Sequence, residues 1–351
     1  MRPVIDPDIT RAATLPGAFY CDPGVLARQR ERVFARAWHL GADVRQLEAP
    51  GACVPAVLGE EPVVFTRDAS GALHCVSNVC THRANLVVNA PCNVPSLRCR
   101  YHGRRFGLDG RFHSMPEFEA ARDFPSDADH LPPVAFGQLG PLLFASAAPA
   151  FALDELLAPV RARVGWLDLA AMQRDPAGDR DYQVAANWAL YCDNYLEGFH
   201  IPFVHPALSG ALDYGAYQTE LHPFGTLQLG VAADGEDAFE RLDAGRRIAA
   251  YYFWLFPSTM LNFYPWGLSV NVVEPLAVDR TRVRYQTWVL DAARRTTGAG
   301  AALDRVEVED EEVVERVQQG VRSRLYRTGR YSPTRETGVH HFHRLLTHFL
   351  E

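Results

Sequence analysis

Two matched pairs of metal-ligating residues stand in the first third of the chain. Cys80-Thr81-His82 is followed, after the 16 residues 83–98, by Cys99-Arg100-Tyr101-His102-Gly103. Each pair offers one thiolate and one imidazole. Zinc accepts two cysteines and two histidines, but zinc fingers usually pair like with like and place the histidines on a helix. Here each pair is mixed and its surroundings read as loops. Mixed pairs suit a [2Fe–2S] cluster in which two cysteines hold one iron and two histidines the other. Neutral imidazoles raise the reduction potential of such a cluster above that of an all-thiolate one. Cys75 and Cys92 fall outside the pattern and read, with Cys21, Cys53 and Cys192, as packed thiols. Seven cysteines with no apolar export segment after Arg2 argue against a disulfide framework.

A second constellation lies further on, in Asn187-Trp188 and then Asp193-Asn-Tyr-Leu-Glu197-Gly-Phe-His200-Ile-Pro-Phe-Val-His205. Two histidines five apart say little alone. Pro202 should end a helix at about His200 or Ile201, leaving His205 on the next turn, where it can fold back. Two imidazoles and one carboxylate on one face form the ligand set of non-haem Fe(II), with open positions for O₂. The carboxylate must come from elsewhere, and the candidates are Glu307, Glu309, Asp310, Glu311 and Glu312. Helical periodicity favours Asp310, which shares a face with Val306, Val313, Val314, Val317 and Val321. Glu311 and Glu312 line up with Glu315, Arg316, Gln318 and Gln319, a solvated face, and Glu309 lies at the stripe's edge. A carboxylate in an apolar stripe is costly, and a bound cation removes the cost. A misplaced helix start, with Asp310 in a first turn, stays open, as does the choice of Glu309 or Glu311 as the third ligand.

Several elements must position these residues. Asp22-Pro23 is an N-cap followed by proline at the first helical position, and the apolar spacing predicts a helix over 23–38. From about 40 to 150, short runs such as Pro62-Val-Val-Phe-Thr66 alternate with Gly, Pro, Asp and Asn, which reads as a small all-β domain. Leu142–Ala145 reads as a buried strand within it. Composition shifts at Phe151, and the remainder mixes β-prone runs at 251–272 and 281–290 with a helix over 303–326. His340, His341, His343 and His348 sit on an amphipathic helix and read as surface and core residues.

The 351 residues carry a net charge of −7 with 48% hydrophobic and 22% charged residues, a globular composition that argues against a nucleic-acid partner. The longest charge-free run, 131–153, is too broken by proline and glycine to span a membrane, and a cytoplasmic location is expected.

Cys80-Thr-His82-Arg83 and Cys99-Arg-Tyr-His102-Gly103 resemble the Rieske signature of ring-hydroxylating oxygenases. With the second constellation following, nearly the whole chain resembles the α-subunit of Rieske non-haem iron oxygenases. The resemblance implies an α+β chain. An N-terminal helical segment (1–40) would pack on the catalytic domain. An all-β Rieske [2Fe–2S] domain (41–150) and an antiparallel-sheet-and-helix, helix-grip-like iron domain (151–351) would follow. It implies a cluster on Cys80, His82, Cys99 and His102, and Fe²⁺ on His200, His205 and Asp310. Glu197, three residues before His200, would be the acidic electron-transfer bridge between metal centres of neighbouring subunits, and Asn194 a near-iron residue. It further implies a homotrimer, O₂ as co-substrate and electrons from NAD(P)H through a separate reductase or ferredoxin.

Many members carry Asp at the bridge. The Glu in Asp-Asn-Tyr-Leu-Glu-Gly-Phe-His, with Val-Gln-Gln-Gly-Val-Arg-Ser and Gly-Arg-Tyr-Ser near the C-terminus, is similar to the branch acting on choline, carnitine and betaines. The expected substrate is therefore a small quaternary amine, hydroxylated next to nitrogen or N-demethylated. Tyr251, Tyr252, Phe253, Trp254, Phe256, Phe263, Tyr264 and Trp266 crowd one β-region. Of these, Tyr251, Phe253, Phe263 and Trp266 are the pocket candidates, able to hold a cation by its attraction to aromatic faces. An aromatic-ring hydroxylating mono- or dioxygenase is the alternative within the family. Two readings come from outside it. An electron carrier without oxygenase activity would not need the roughly 200 residues that follow the first domain. A zinc-stabilised binding module would be colourless.

Overall fold

The computed structural model describes residues 4–351. Asp22 caps helix α1 (Pro23–Arg32), its carboxylate accepting from the Gly24 N–H at 2.7 Å with Pro23 in the first turn. The helix is shorter than the 23–38 expected. Past Arg32 the chain tightens into a 3₁₀ turn over Phe34–Arg36. Val33/Phe34 is also where the chain passes between its two compact units, one running Phe34–Leu153 and the other joining the chain up to Val33 with Asp154–Glu351. Val33, Phe34, Ala37 and Trp38 are buried all the same, so their spacing marked burial and not one continuous helix.

Within Phe34–Leu153 the strands are short and antiparallel. They are β1 (His39–Asp43), β2 (Ala52–Leu58), β3 (Glu61–Arg67), β4 (Leu73–Ser77), β5 (Cys92–Asn93), β6 (Leu97–Arg98), β7 (Arg105–Phe106), β8 (Phe112–Ser114), β9 (Ala135–Leu139) and β10 (Leu142–Ser146). They pair in three sheets ordered β1-β10-β9, β4-β3-β2-β5 and β6-β7-β8. Every residue of β10 is buried, as its apolar run predicts. One apolar cluster gathers Cys53, Val64, Leu97, Phe106 and Leu108 around Cys80 and Cys99, which seats both cysteine loops on a packed core. Cys92 departs from the packed-thiol reading. It is exposed, because β5 is a two-residue strand at a sheet edge.

The other unit holds helix α2 (Leu153–Val164), strands β11 (Gln173–Arg174) and β12 (Arg180–Val184), and helices α3 (Trp188–Tyr195), α4 (Ile201–Val204) and α5 (Pro206–Ala211). Strands β13 (Gln218–His222), β14 (Gly225–Val231), β15 (Ile248–Leu255), β16 (Thr259–Tyr264), β17 (Gly267–Ala277) and β18 (Arg280–Val289) follow, then helices α6 (Leu303–Val321) and α7 (Thr337–Phe349). The strands form one antiparallel sheet ordered β11-β18-β17-β16-β15-β14-β13, with β12 also pairing β18. All of β14 and β16 is buried, so neither strand shows the apolar–polar alternation of a half-exposed sheet.

Helix α6 stops at Val321 and not at 326, and its buried face is rotated from the valine stripe. Glu307, Val314, Gln318 and Val321 are inside, while Val317 is 42% exposed. Gln318, expected in solvent, is buried because its Oε1 accepts the Asn187 N–H at 2.8 Å at the start of α3. On α7, His340 and His343 are buried.

Candidate active site

The two cysteine loops have the same backbone construction. The Cys80 N–H donates to the Asn85 carbonyl at 2.9 Å and its carbonyl accepts from Ala84 at 3.0 Å. Cys99 repeats both bonds with Arg104 at 2.8 Å and Gly103 at 3.0 Å. Each loop closes through a left-handed residue, Ala84 (φ 53°) and Gly103 (φ 78°), a conformation that costs glycine least. The loops bring the Cys80 and Cys99 thiols into contact and the His82 and His102 rings to 4.7 Å between centroids. Paired thiols on one side and paired imidazoles on the other are the donor set of a two-iron cluster, one iron to each pair. Burial works against the Cys99 thiolate, yet the Tyr101 and His102 N–H groups, Cys80 and the Asn85 amide bring that thiol below its usual range. Under the loop, the buried Arg104 guanidinium pairs with Asp129 at 2.5 Å and lies 4.9 Å from the Phe112 ring centroid.

The second constellation is held by short elements after α3. Asn187 caps α3 by accepting from Ala189 at 3.0 Å, and the helix ends at Tyr195. Pro202 does not end a helix as expected. It stands in the first turn of the four-residue α4, and His205 links α4 to α5. This break still folds His205 back towards His200, with ring centroids 5.1 Å apart. Gly198 is required in the turn between, since a Cβ there would come within 2.6 Å of the Tyr217 ring.

Asp310 completes the group. One ligand atom from each of His200, His205 and Asp310 can be drawn within 4.8 Å of the others, the arrangement of a metal site. Asp310 Oδ1 lies 3.0 Å from His205 Nε2 and 3.5 Å from His200 Nε2. Each histidine uses its other nitrogen on a carboxylate: His200 Nδ1 meets Glu197 Oε1 at 2.7 Å, and His205 Nδ1 meets Glu309 Oε2 at 2.8 Å. Such partners fix the tautomer and orient a ligating imidazole. Burial alone would push His205 down in pKa, but Asp310 and Glu309 together push it up. The His205 bond holds Glu309 below the usual carboxylate range, helped by Arg305 at 2.9 Å. Nothing in the linear spacing marks Glu309 as the partner of His205. Glu197 reaches His200 from a loop and not from a helix, its Oε2 also accepting from the Phe199 and His200 N–H groups. Glu311 is half-buried instead of solvated, and burial raises its pKa. Asp193 does structural work, accepting from Tyr20 OH at 2.8 Å and facing His343 Nε2 at 2.8 Å.

A cavity of about 100 Å³ opens beside these groups. Asn194, Glu197, His200, His205 and Asp310 line it, as do Tyr191, Tyr195, Tyr217, Tyr252, Tyr264 and Tyr285. Its sheet wall is one face of the sheet: Gln228, Tyr252, Asn262 and Ser269 pair in one row across four strands, and Asn271 pairs with Tyr285 in a neighbouring row. The expected pocket residues Tyr251, Phe253 and Phe263 do not line it. They alternate with the lining residues, so they face the other side of the sheet, and Trp266 lines a separate cavity of about 310 Å³. Tyr252 and Tyr264 are the aromatics of that run that face the histidines. Tyr195 OH donates to Asn262 Oδ1 at 2.6 Å and Gln228 Nε2 to the Tyr195 carbonyl at 2.6 Å, so the polar wall is braced.

Residues 37–125 match the Rieske [2Fe-2S] domain family, and residues 172–351 match the ring hydroxylating alpha subunit (catalytic domain) family. The chain is 30% identical over 372 residues to the chloroplastic choline monooxygenase of Arabidopsis thaliana, covering 99% of this chain and 85% of the relative. It is 30% identical over 351 residues to the carnitine monooxygenase oxygenase subunit of Escherichia coli K12, covering 95% and 93%. The solved quaternary ammonium Rieske monooxygenase CntA in complex with L-carnitine superposes with a TM-score of 0.79 at 23% identity, covering 99% and 97% of the two chains. The naphthalene 1,2-dioxygenase from Rhodococcus bound to indole superposes at 0.73 and 19%, covering 96% and 93%. Among the described residues no helix is long and apolar enough to cross a membrane. Two matched metal constellations, two family matches and relatives aligned over most of their length lead to one conclusion: the chain belongs to the Rieske non-haem iron oxygenase α-subunits, oxygenases that carry a [2Fe–2S] cluster and a mononuclear iron.

Proposed function

We propose that this chain hydroxylates a small quaternary amine at a carbon next to nitrogen. The observation that carries the reading is the cavity wall, where six tyrosines stand beside the histidine pair. Tyrosine faces attract a quaternary ammonium by about 0.5–2 kcal/mol each, the higher value applying where water is excluded. The relatives named for choline and for carnitine point to the same substrate class. Asn262, Asn271, Ser269 and Gln228 offer hydrogen bonds to a polar end of the substrate, away from the ammonium.

In this reading Cys80, His82, Cys99 and His102 hold the cluster, and His200, His205 and Asp310 hold Fe²⁺. When bound, the cluster delivers electrons singly and Fe²⁺ activates O₂. Glu197 and Glu309 keep the outer nitrogens of His200 and His205 occupied, so that both Nε2 atoms stay aimed at the metal position. Glu197 also serves as the bridge by which the cluster of a neighbouring subunit reaches this iron, in a homotrimer fed by a separate NAD(P)H-dependent reductase in the cytoplasm. The overall reaction consumes one O₂, two electrons and two protons, inserts one oxygen atom into a C–H bond and releases one water. Hydroxylation of an N-methyl group would collapse to formaldehyde and a tertiary amine. The test is an oxygen-uptake screen with a surrogate reductase and NADH. The reading predicts uptake with choline, betaines or carnitine and none with simple arenes. Turnover of arenes alone would replace it with the ring-hydroxylating alternative.

A further inference from the structure

Two cysteines of the Phe34–Leu153 unit lie outside the cluster set and face each other. Strand β5 pairs with β2 so that Cys92 stands directly opposite Cys53. Residues opposed in this way in an antiparallel pair project to one face, with Cα atoms about 4.5–5.5 Å apart. That separation falls inside the roughly 4.4–6.8 Å that a disulfide spans. The two thiols are in hydrogen-bond contact. Their register is held by the next residues along, where the Val94 N–H donates to the Gly51 carbonyl at 2.9 Å and the Asn93 amide to the Pro50 carbonyl at 3.1 Å. The two sulfurs differ in access. Cys92 is exposed and borders a cavity of about 680 Å³ whose wall also includes Cys99 and Gly103 of the second cluster loop. Cys53 is 1% exposed and packs in the apolar cluster that seats Cys80 and Cys99. One thiol meets solvent, and the other waits beneath it against the core of the cluster loops.

We propose that Cys53 and Cys92 are a redox pair: hydrogen peroxide joins them in a reversible disulfide that clamps the linker between the two cluster loops. Cys92 sits in that linker, residues 83–98, and β5 has only two residues with which to tie it to β2. The bond would close a loop containing Cys80 and His82, and closing a loop restricts the unfolded chain. Burial, reinforced by Cys92, pushes the Cys53 thiol up to about 12, so it stays protonated and the first attack on peroxide falls to Cys92. The Cys92 sulfur takes one oxygen as the O–O bond breaks, leaving a sulfenic acid and one water. Cys53 then attacks the Cys92 sulfur. Its proton leaves with the hydroxyl as a second water, and the S–S bond forms. Two thiols and one hydrogen peroxide thus give one disulfide and two waters. The oxidant is what O₂ becomes when the two electrons and two protons of the reaction above arrive with no C–H bond in reach. A dithiol reverses the step, and a transient, redox-sensing disulfide of this kind is compatible with a chain that has no disulfide framework.

The experiment treats the metal-loaded protein with hydrogen peroxide and removes the excess with catalase. One portion is alkylated with iodoacetamide under denaturing conditions and its digest mapped by mass spectrometry. Cys53 and Cys92 should appear in one linked peptide that dithiothreitol separates, while Cys21, Cys75 and Cys192 should be alkylated. The rest is divided: half is restored with dithiothreitol and desalted, and both halves are warmed with an iron chelator while the visible absorbance of the cluster is followed. The oxidised half should lose its cluster about threefold more slowly, or better, and Cys92→Ser treated in the same way should show no difference between halves. Cys92 carried on to a sulfinic acid with Cys53 still alkylated overturns the inference, as does a bond joining Cys92 of two molecules, or thiols left untouched by peroxide. Equal cluster loss in the two wild-type halves, with the linked peptide present, overturns the clamp, and so does a difference that persists in Cys92→Ser. Both wild-type halves share one sequence and one exposure to peroxide, so their comparison needs no variant to fold.

Discussion

Glu307→Gln should make the protein more stable, and the size of the gain should depend on pH. Glu307 is pushed from the ordinary 4.5 up to about 8, chiefly by burial, against the two tyrosine hydrogen bonds and with further upward pushes from Asp310 and Glu311. The folded protein therefore keeps this proton until about pH 8, whereas the unfolded chain releases it around pH 4.5. Between those limits the native state binds more protons than the unfolded state, so stability falls as pH rises and levels off above about 8. At pH 7 the interval spans about 2.5 pH units, or roughly 3 kcal/mol, at 1.36 kcal/mol per unit. Glutamine has nearly the same shape, cannot ionise, and still accepts from Tyr191 and Tyr285. Its freed amide group can donate towards Glu311. The variant should thus gain roughly 3 kcal/mol at pH 7 and almost nothing at pH 4.5, where wild type is itself close to neutral. The assay is urea unfolding at pH 5 and pH 8, followed by fluorescence of the buried Trp188, Trp254 and Trp288, on protein stripped of mononuclear iron, because a cation at Asp310 cancels part of the push. An equal change at both pH values, or a loss of stability at pH 8, refutes the reasoning.

Other outcomes follow from the two metal constellations. Cys99→Ala should bleach the visible spectrum of the cluster and spare the mononuclear iron, and His205→Ala should do the reverse; loss of both sites from either change in folded protein would count against separate sites. Asp310→Ala should lose the mononuclear iron in a metal assay, and Glu311→Ala should keep it. Glu309→Gln should keep the iron with about 10- to 100-fold weaker affinity, since it removes only the partner of His205 Nδ1; wild-type affinity there would make the 2.8 Å contact incidental. Glu197→Gln should retain the cluster spectrum and much of the iron, yet a chemically reduced cluster should no longer be reoxidised by O₂ with substrate present. Normal reoxidation coupled to product would send the electrons by another route.

The parts of this molecule that were legible in the sequence are those written in short spacings. The Cys-x-His and Cys-x-x-His pairs, and the two histidines five apart, sit in loops whose geometry is local, so residue type and interval carried most of the information. Asp310 emerged from helical phase because α6 has a single buried face. The same phase argument failed for Gln318, because a polar group buried by a partner over 100 residues away looks like a surface residue in a linear sequence. Glu309 was missed for the same reason, as its partner His205 is 104 residues away. The pocket aromatics were read in the wrong register because β15 and β16 are buried along nearly their whole length, which erases the alternation that would have told Tyr251 from Tyr252 and Phe263 from Tyr264. Pro202 was read as a stop where it is a start, since proline suits the first turn of a helix as well as the residue after one.

On the proposed reading a quaternary amine binds beside an iron held by His200, His205 and Asp310. Electron paramagnetic resonance of the protein treated with nitric oxide, a probe of ferrous iron with an open position, tests it most directly. A ferrous nitrosyl signal should appear, should be lost in both His205→Ala and Asp310→Ala, and should shift in lineshape on adding choline but not on adding naphthalene. A signal that survives both substitutions, or one that responds to naphthalene and ignores every quaternary amine, would contradict it.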